Sequence, residues 1–248
     1  NKCKMKKILI FGVGLIGGSI ALKIRQKKLF DQIIGVGRSG GTSLTSYVSN
    51  GMLDVAIEKA SEEIASTDLI IIATPVAQTK KILSDIYPFV NEKSVITDVG
   101  STKSDVMAAA KESLKEKFNQ FIGSHPIAGS EKHGASAANS QLFENKDIII
   151  TPHDNSINST IDYLRKFWVN LGGRVSNMTP EIHDEIFSTV SHIPHLLAFG
   201  LVNLINNKSN KDQLLNFAAS GFRDFSRIAA SSPEVWRDIS LANKKAIL

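Results

Sequence analysis

A chain of 248 residues, 42% hydrophobic and 21% charged, is long enough for one large core or two modest ones, and it has no low-complexity tract. The net charge of +5 comes from dispersed lysines, densest at Lys2, Lys4, Lys6 and Lys7, with no basic face interleaved with aromatics, so nucleic acid is not an expected partner. The single cysteine, Cys3, excludes an intrachain disulfide and is expected to be inert; it points to a reducing, cytoplasmic setting. No signal-peptide region precedes Ile8, and no segment approaches the ~20 apolar residues of a membrane span.

In chain order, residues 7–12 (KILIFG) read as a buried strand and residues 17–28 as a helix. Further strands are predicted over 32–37, 69–74, 94–99, 121–125 and Asp147–Thr151, with helices over 76–86 and from near Ser101. Continuous apolar runs separated by helices indicate a parallel sheet covered on both faces. A helix over 159–171 follows, capped by Gly172 and Gly173, and Arg174–Asn177 adds a last strand. After Thr179 no strand-like run appears. Thr179 and Pro180 open a long helix towards Asn206 with a kink at Pro194, and helices over 211–219 and 233–248 complete the pattern. The expected division is a dinucleotide-binding domain over 1–175 and a helical domain over 176–248. The chain ends within a helical pattern with no stop signal, which reads as a helical domain cut short.

The sharpest local motif is Gly12-Val13-Gly14-Leu15-Ile16-Gly17, placed directly after a strand and opening a helix. Gly12 permits the tight turn, Gly14 lets the backbone approach a pyrophosphate, and Gly17 lets helix and strand pack closely. The helix N-terminus offers N–H groups to the phosphate. NAD-binding folds usually place an acid at the end of the second strand; here Gly37-Arg38-Ser39-Gly40 has none. An arginine and a serine would instead suit a 2′-phosphate, which favours NADP over NAD. Thr74-Pro75 and Asp98-Val99-Gly100-Ser101 close two further strands at the edge where such sheets bind ligands, although either could be a routine turn with Ser101 as a helix cap.

Two clusters lie outside the nucleotide motif. His125, in Gly123-Ser124-His125-Pro126, ends the fifth strand on the same edge, where a proton-transfer group belongs. In the helical part, His192 and His195 lie three apart, and Arg227 follows Arg223 by four residues, a pair suited to a carboxylate-rich substrate. No acid or cysteine set completes a metal site.

Taken together, G-x-G-L-I-G-G-S, T-P, T-D-V-G-S, H-P-I-A-G-S-E, S-H-I-P-H and S-G-F-R-D-F-S-R followed by Trp236 resemble the prephenate/arogenate dehydrogenases of tyrosine biosynthesis, from Lys7 to the chain end. The resemblance implies a Rossmann-type, doubly wound, mainly parallel sheet with a C-terminal all-helical dimerisation domain. It also implies an oxidative decarboxylation, in which hydride leaves the C4 carbinol of the substrate ring for NAD(P) and CO₂ departs as the ring becomes aromatic. On that resemblance His125 is the partner or base of the C4 hydroxyl, and Ser101 holds that hydroxyl in register with the nicotinamide. Arg227 binds the ring carboxylate. Ser130, Glu131 and either His192 or His195 border the side-chain end, and Trp236 closes the pocket. The cofactor would rest on Gly12, Gly14, Leu15, Ile16 and Gly17, with Arg38, Ser39, Thr74, Pro75 and Val99. A homodimer is expected. Ser124 departs from the glycine common before the His-Pro pair. A hydroxyacid dehydrogenase of the same two-domain plan, or a nucleotide-sensing module without turnover, are the competing readings.

Overall fold

The computed structural model describes residues 6–37, 44–59, 62–129 and 134–248; Cys3, Arg38, Ser39, Ser130 and Glu131 lie outside them. In β1 (Lys7–Phe11), Ile8 and Ile10 enter one apolar cluster while Leu9 and Phe11 enter another, so both faces of the strand are covered. The chain continues through α1 (Leu15–Lys27), β2 (Gln32–Val36), α2 (Leu44–Ser49), β3 (Val55–Ile57), β4 (Leu69–Ile72), α3 (Thr79–Ile86), β5 (Val95–Asp98) and α4 (Ser104–Leu114). Its five strands are parallel in the order β3-β2-β1-β4-β5. The order reverses between β1 and β4, and the crevice at a reversal point is where such sheets take ligands.

β6 (Gly123–Pro126), β7 (Asp147–Thr151), α5 (Asn158–Asn170) and β8 (Arg174–Asn177) follow. These three strands form a second sheet, joined to the first where Phe121 bridges Ile96 beside β5. The arrangement is mainly parallel, as the apolar runs imply, but β6 runs antiparallel to β7. The connection between them carries no crossover helix among the described residues, and an antiparallel pair does not need one. Gly172 (φ +100) and Gly173 close α5 in a Schellman arrangement, with Gly173 N–H donating to the Trp168 carbonyl at 3.0 Å. The fully buried Trp168 donates its Nε1–H to Ser124 Oγ at 3.1 Å, and that hydroxyl lies 2.7 Å from Thr97 Oγ1. The serine that departs from the family pattern therefore satisfies a core indole.

Thr179 accepts the Ile182 N–H and starts α6 (Pro180–Phe187). A π-turn over Ser188–His192 leads into α7 (Ile193–Asn206). The distortion expected at Pro194 falls one turn earlier, because proline has no N–H to return to that turn and the ladder widens there instead. α8 (Lys211–Asn216), α9 (Ser220–Ser226), α10 (Pro233–Ala242) and α11 (Lys244–Ile247) complete the chain. The single helix expected over 233–248 breaks at Asn243, whose side chain donates to the Asp184 carbonyl at 2.8 Å.

One expectation is corrected outright. The continuous helix Pro180–Asn206, at 27 residues, is long and apolar enough to cross a membrane. The same helix carries His183, Asp184 and His192, all buried against the rest of the protein. That commitment of polar groups argues for packing on the nucleotide-binding half.

Burial pushes the His192 imidazole down to about 4, and it pushes His183 below the ordinary value as well. A folded-state pKa below the unfolded value means that the unfolded chain takes up protons first as pH falls. The stability these neutral rings permit is therefore whole above ~6.5 and is lost below it. His192 alone should remove ~1.4 kcal/mol per pH unit between those two values. Thermal unfolding at successive pH values from neutral downwards checks this, and a Tm that does not fall as the pH drops below ~6.5 would contradict the lowered His192 value.

Candidate active site

The glycine turn after β1 is shaped by contacts that admit no side chain. Gly12 sits at φ +82, and a Cβ there would lie 2.8 Å from the Ala73 carbonyl oxygen; a Cβ on Gly17 would lie 2.1 Å from the Gly12 carbonyl oxygen. Gly14 is different. A Cβ there would meet nothing within 4 Å, so the backbone faces open space at the start of α1. The first turn of α1 has neither a side-chain cap nor an acid, which leaves its leading N–H groups for an anion. Beside Gly12, Thr74 Oγ1 is buried without a hydrogen-bond partner among the described residues. The open cradle, the uncapped helix and the waiting hydroxyl fit a dinucleotide phosphate. Pro75 opens a short 3-10 turn, and Val99 packs on the core beneath.

Leu15 and Ile16 of that turn form one wall of a cavity of about 660 Å³. Ser101, His125, Phe187, His195, Arg227 and Trp236 line the rest of it, drawn from both halves of the chain. Ser101 lies in the bend between β5 and α4, because α4 begins at Ser104, three residues later than expected. Its hydroxyl is therefore not spent as a helix cap. The helix is capped from the other half of the molecule: Asp184 Oδ1 accepts the Lys103 N–H and Oδ2 accepts the Ser104 N–H, each at 2.8 Å.

Below that bend, Asp98 at the end of β5 accepts from Lys103 Nζ at 2.6 Å, from the Gly100 N–H at 2.8 Å and from the Ser124 N–H at 3.2 Å. One buried carboxylate thus ties the Ser101 turn to the strand that carries His125. The imidazole of His125 meets His183, Nδ1 to Nε2, at 2.7 Å, and His183 Nδ1 meets Asp184 Oδ1 at 2.9 Å. Phe187 packs on both rings, with centroids 5.0 Å from His125 and 4.6 Å from His183. Burial holds His125 well below the ordinary imidazole value, and neighbouring His183, Lys103 and His192 push the same way. His125 is neutral at pH 7, as a proton acceptor must be.

The two histidines of the S-H-I-P-H string separate. His195 lines the cavity; its Nδ1–H donates to the Ser191 carbonyl at 2.8 Å, and its ring stacks on Trp236 at 3.5 Å. Burial and then Arg227 lower its pKa, against the Ser191 bond. His192 is fully buried behind that wall, and its Nδ1 accepts from Asn243 Nδ2 at 3.0 Å. The cavity-lining member of the pair is His195, and His192 supports the wall. Arg227 opens a short turn on the cavity rim. No metal-binding group of histidine, cysteine or acid occurs among the described residues. Lys103, His183, Asp184 and Asn243 were not singled out from the sequence. The adjacent His-Asp pair one turn into a capped helix, with Phe187 four residues on, was the available signal.

Residues 20–177 match the family described as prephenate dehydrogenase, nucleotide-binding domain, and residues 179–248 match prephenate dehydrogenase, dimerization domain. Prephenate dehydrogenase of Bacillus subtilis is 40% identical over 97% of this chain, which spans 65% of that protein. Cyclohexadienyl dehydrogenase of Zymomonas mobilis is 30% identical over 98% of this chain and 83% of its own length. The crystal structure of prephenate dehydrogenase from A. aeolicus, in complex with hydroxyphenyl propionate and NAD+, superposes with a TM-score of 0.90 at 32% identity, covering 100% of this chain and 86% of that one. On these matches, which run through both halves of the molecule, the chain belongs to the prephenate dehydrogenase family.

Proposed function

We propose that this chain oxidises prephenate, arogenate or both with loss of CO₂, passing a hydride to NAD(P), as a step of tyrosine biosynthesis. The observation that carries the reading is the single cavity in which Ser101, His125, His195, Arg227 and Trp236 meet Leu15 and Ile16 of the dinucleotide turn. The dehydrogenase names of the relatives and the ligands of the A. aeolicus structure support it.

Gly12, Gly14 and the start of α1 would hold the phosphates of NAD(P), which when bound would supply the hydride acceptor. Arg227 binds the ring carboxylate with a charge-assisted hydrogen bond until it leaves as CO₂. His125 accepts the proton of the ring hydroxyl as the carbinol becomes a carbonyl. Ser101 orients that hydroxyl, and His195 and Trp236 flank the side-chain end; Ser130 and Glu131, assigned to the same end by the resemblance, lie outside the described residues. NADP is the preferred cofactor in this reading, supported by the absence of an acid after β2 and by Arg38 and Ser39 in its place.

The proposed assembly is a homodimer through the helical half. Supporting it, α6 and α7 expose Ile182, Ile186, Leu197 and Leu204, and Phe217 beyond them is 83% exposed. The proposed location is the cytoplasm, supported by the single cysteine.

Formation of reduced nicotinamide, followed by its near-ultraviolet absorbance with prephenate and arogenate in turn and with NAD and NADP in turn, tests the reading. Turnover with one substrate is expected, and none in any combination from a folded dimer would overturn it. His125→Asn should cut kcat by ~10²-fold or more while leaving cofactor affinity nearly intact. For the wild type, kcat/KM should fall on the acid side with a midpoint below ~6.5, since protonated His125 cannot accept; a midpoint above that value would remove His125 as the acceptor. Arg227→Ala should raise the KM for substrate by ~10- to 100-fold, the scale of a hydrogen bond to a charged group. An unaltered KM would count against the carboxylate role.

A further inference from the structure

Beyond the groups that line the cavity, one buried chain of polar atoms ends on the reacting histidine. Asp184 accepts backbone N–H groups from Lys103 and Ser104 and faces His183 Nδ1; His183 Nε2 faces His125 Nδ1. We propose that His183 and Asp184 are positioning residues that fix the tautomer of His125, with a proton on each Nδ1 and the lone pair of His125 Nε2 left for the substrate. This inference rests on the reaction proposed above.

The assignment follows from counting protons. Burial alone would raise the Asp184 carboxyl, but hydrogen bonds from His183, Ser104 and Lys103 outweigh it and hold the group below its ordinary value. Asp184 is therefore an anion at neutral pH. Both imidazoles are held below their ordinary values by burial, so each ring carries one proton. For His183 the proton must sit on Nδ1, since a bare Nδ1 would set a lone pair against a carboxylate oxygen 2.9 Å away. His183 Nε2 is then an acceptor, and the 2.7 Å contact forms only if His125 donates from Nδ1. The reverse tautomer of His125 would oppose two lone pairs across that contact and turn an N–H towards the substrate hydroxyl. Phe187, packed on both rings, prevents either from turning away.

Geometry across the domains strengthens the assignment. His125 belongs to β6, whereas His183 and Asp184 belong to α6 of the helical half. The carboxylate that orients the relay also caps the helix that follows Ser101, so one group sets the two catalytic side chains relative to each other. A residue two bonds removed from the substrate should act on kcat far more than on KM.

The test compares wild type, His183→Gln and His183→Phe as full chains. Glutamine can accept from His125 through its carbonyl and donate to Asp184 through its amide, whereas phenylalanine keeps the volume and does neither. His183→Phe should lower kcat by ~10-fold or more with the KM for substrate within about threefold, and His183→Gln should recover part of the loss. Nitrogen-15 imidazole spectra, with His125→Asn identifying the His125 signals, should show a protonated Nδ1 and a bare Nε2 in the wild type, and a tautomer mixture in His183→Phe. A wild-type spectrum with the proton on Nε2, or an unchanged kcat in a folded His183→Phe, overturns the inference. Should His183→Phe fail to fold, the wild-type spectrum and the His183→Gln kinetics decide. A wild type that reduces no cofactor with either substrate sinks the proposed reaction, while the spectra still decide the tautomer.

Discussion

The arrangement of this molecule depends on what the carboxylate of Asp184 does. It stands on the helical half, yet it accepts the first N–H groups of α4 in the nucleotide-binding half, and its own backbone carbonyl accepts from Asn243 near the chain end. A charged cap at a helix N-terminus is stabilised by the helix dipole as well as by its hydrogen bonds. Here the cap is supplied across the domain junction. The two halves can slide only by breaking these bonds together and leaving a buried carboxylate unpaired, which is costly. The cavity wall built from Ser101, His125, His195 and Trp236 inherits its dimensions from that lock.

A second carboxylate, Asp98, has a complementary effect. Its ion pair with Lys103 is fully buried, a placement that need not stabilise the fold, because desolvating both charges offsets their attraction. What it does accomplish is local. It pins the Ser101 bend and the first residue pair of β6, and it sets a cation near His125 that discourages protonation of that ring. The anion near the relay sits one histidine further away, where it orients a proton without drawing a second one onto His125.

Much of this was legible in the residues, for physical reasons that also explain the gaps. The strands of the first sheet are covered on both faces, so continuous runs such as KILIF and LIII announce them, and Gly12 and Gly17 are required by contacts that no side chain survives. β3 was silent because three residues, Val55–Ile57, leave too short a pattern. The direction of β6 was silent because four residues, Gly-Ser-His-Pro, carry no sign of which way their neighbour points. His192 and His195 looked equivalent at a spacing of three, and the folded chain separates them: Asn243 bonds the fully buried His192, while His195 lines the cavity and stacks on Trp236. His183 read as part of a helix cap, since its partner His125 lies 58 residues away and nothing local marks the pair.

The outer face of the helical half raises the remaining physical question. α6, the π-turn and α7 turn His183, Asp184, His192 and His195 inward, to the relay and the cavity, while Ile182, Ile186, Leu197 and Leu204 are exposed among polar residues such as Glu181 and Glu185. Continuing from there, Phe199, Val202, Ile205, Leu215 and Phe222, with Asn203, Asn206 and Lys211, line a mostly apolar groove of about 360 Å³ between α7, α8 and α9. A lipid surface would cover such a face without preference for its shape, whereas a groove between three helices can be filled only by side chains that fit it. A second copy, the occupant proposed above, would bring the same exposed residues to that groove. Covering α7 from outside would also stiffen the helix that carries His195 and, through its stacking on Trp236, the wall of the cavity, so that in the proposed dimer one helix would link assembly to that end of the site.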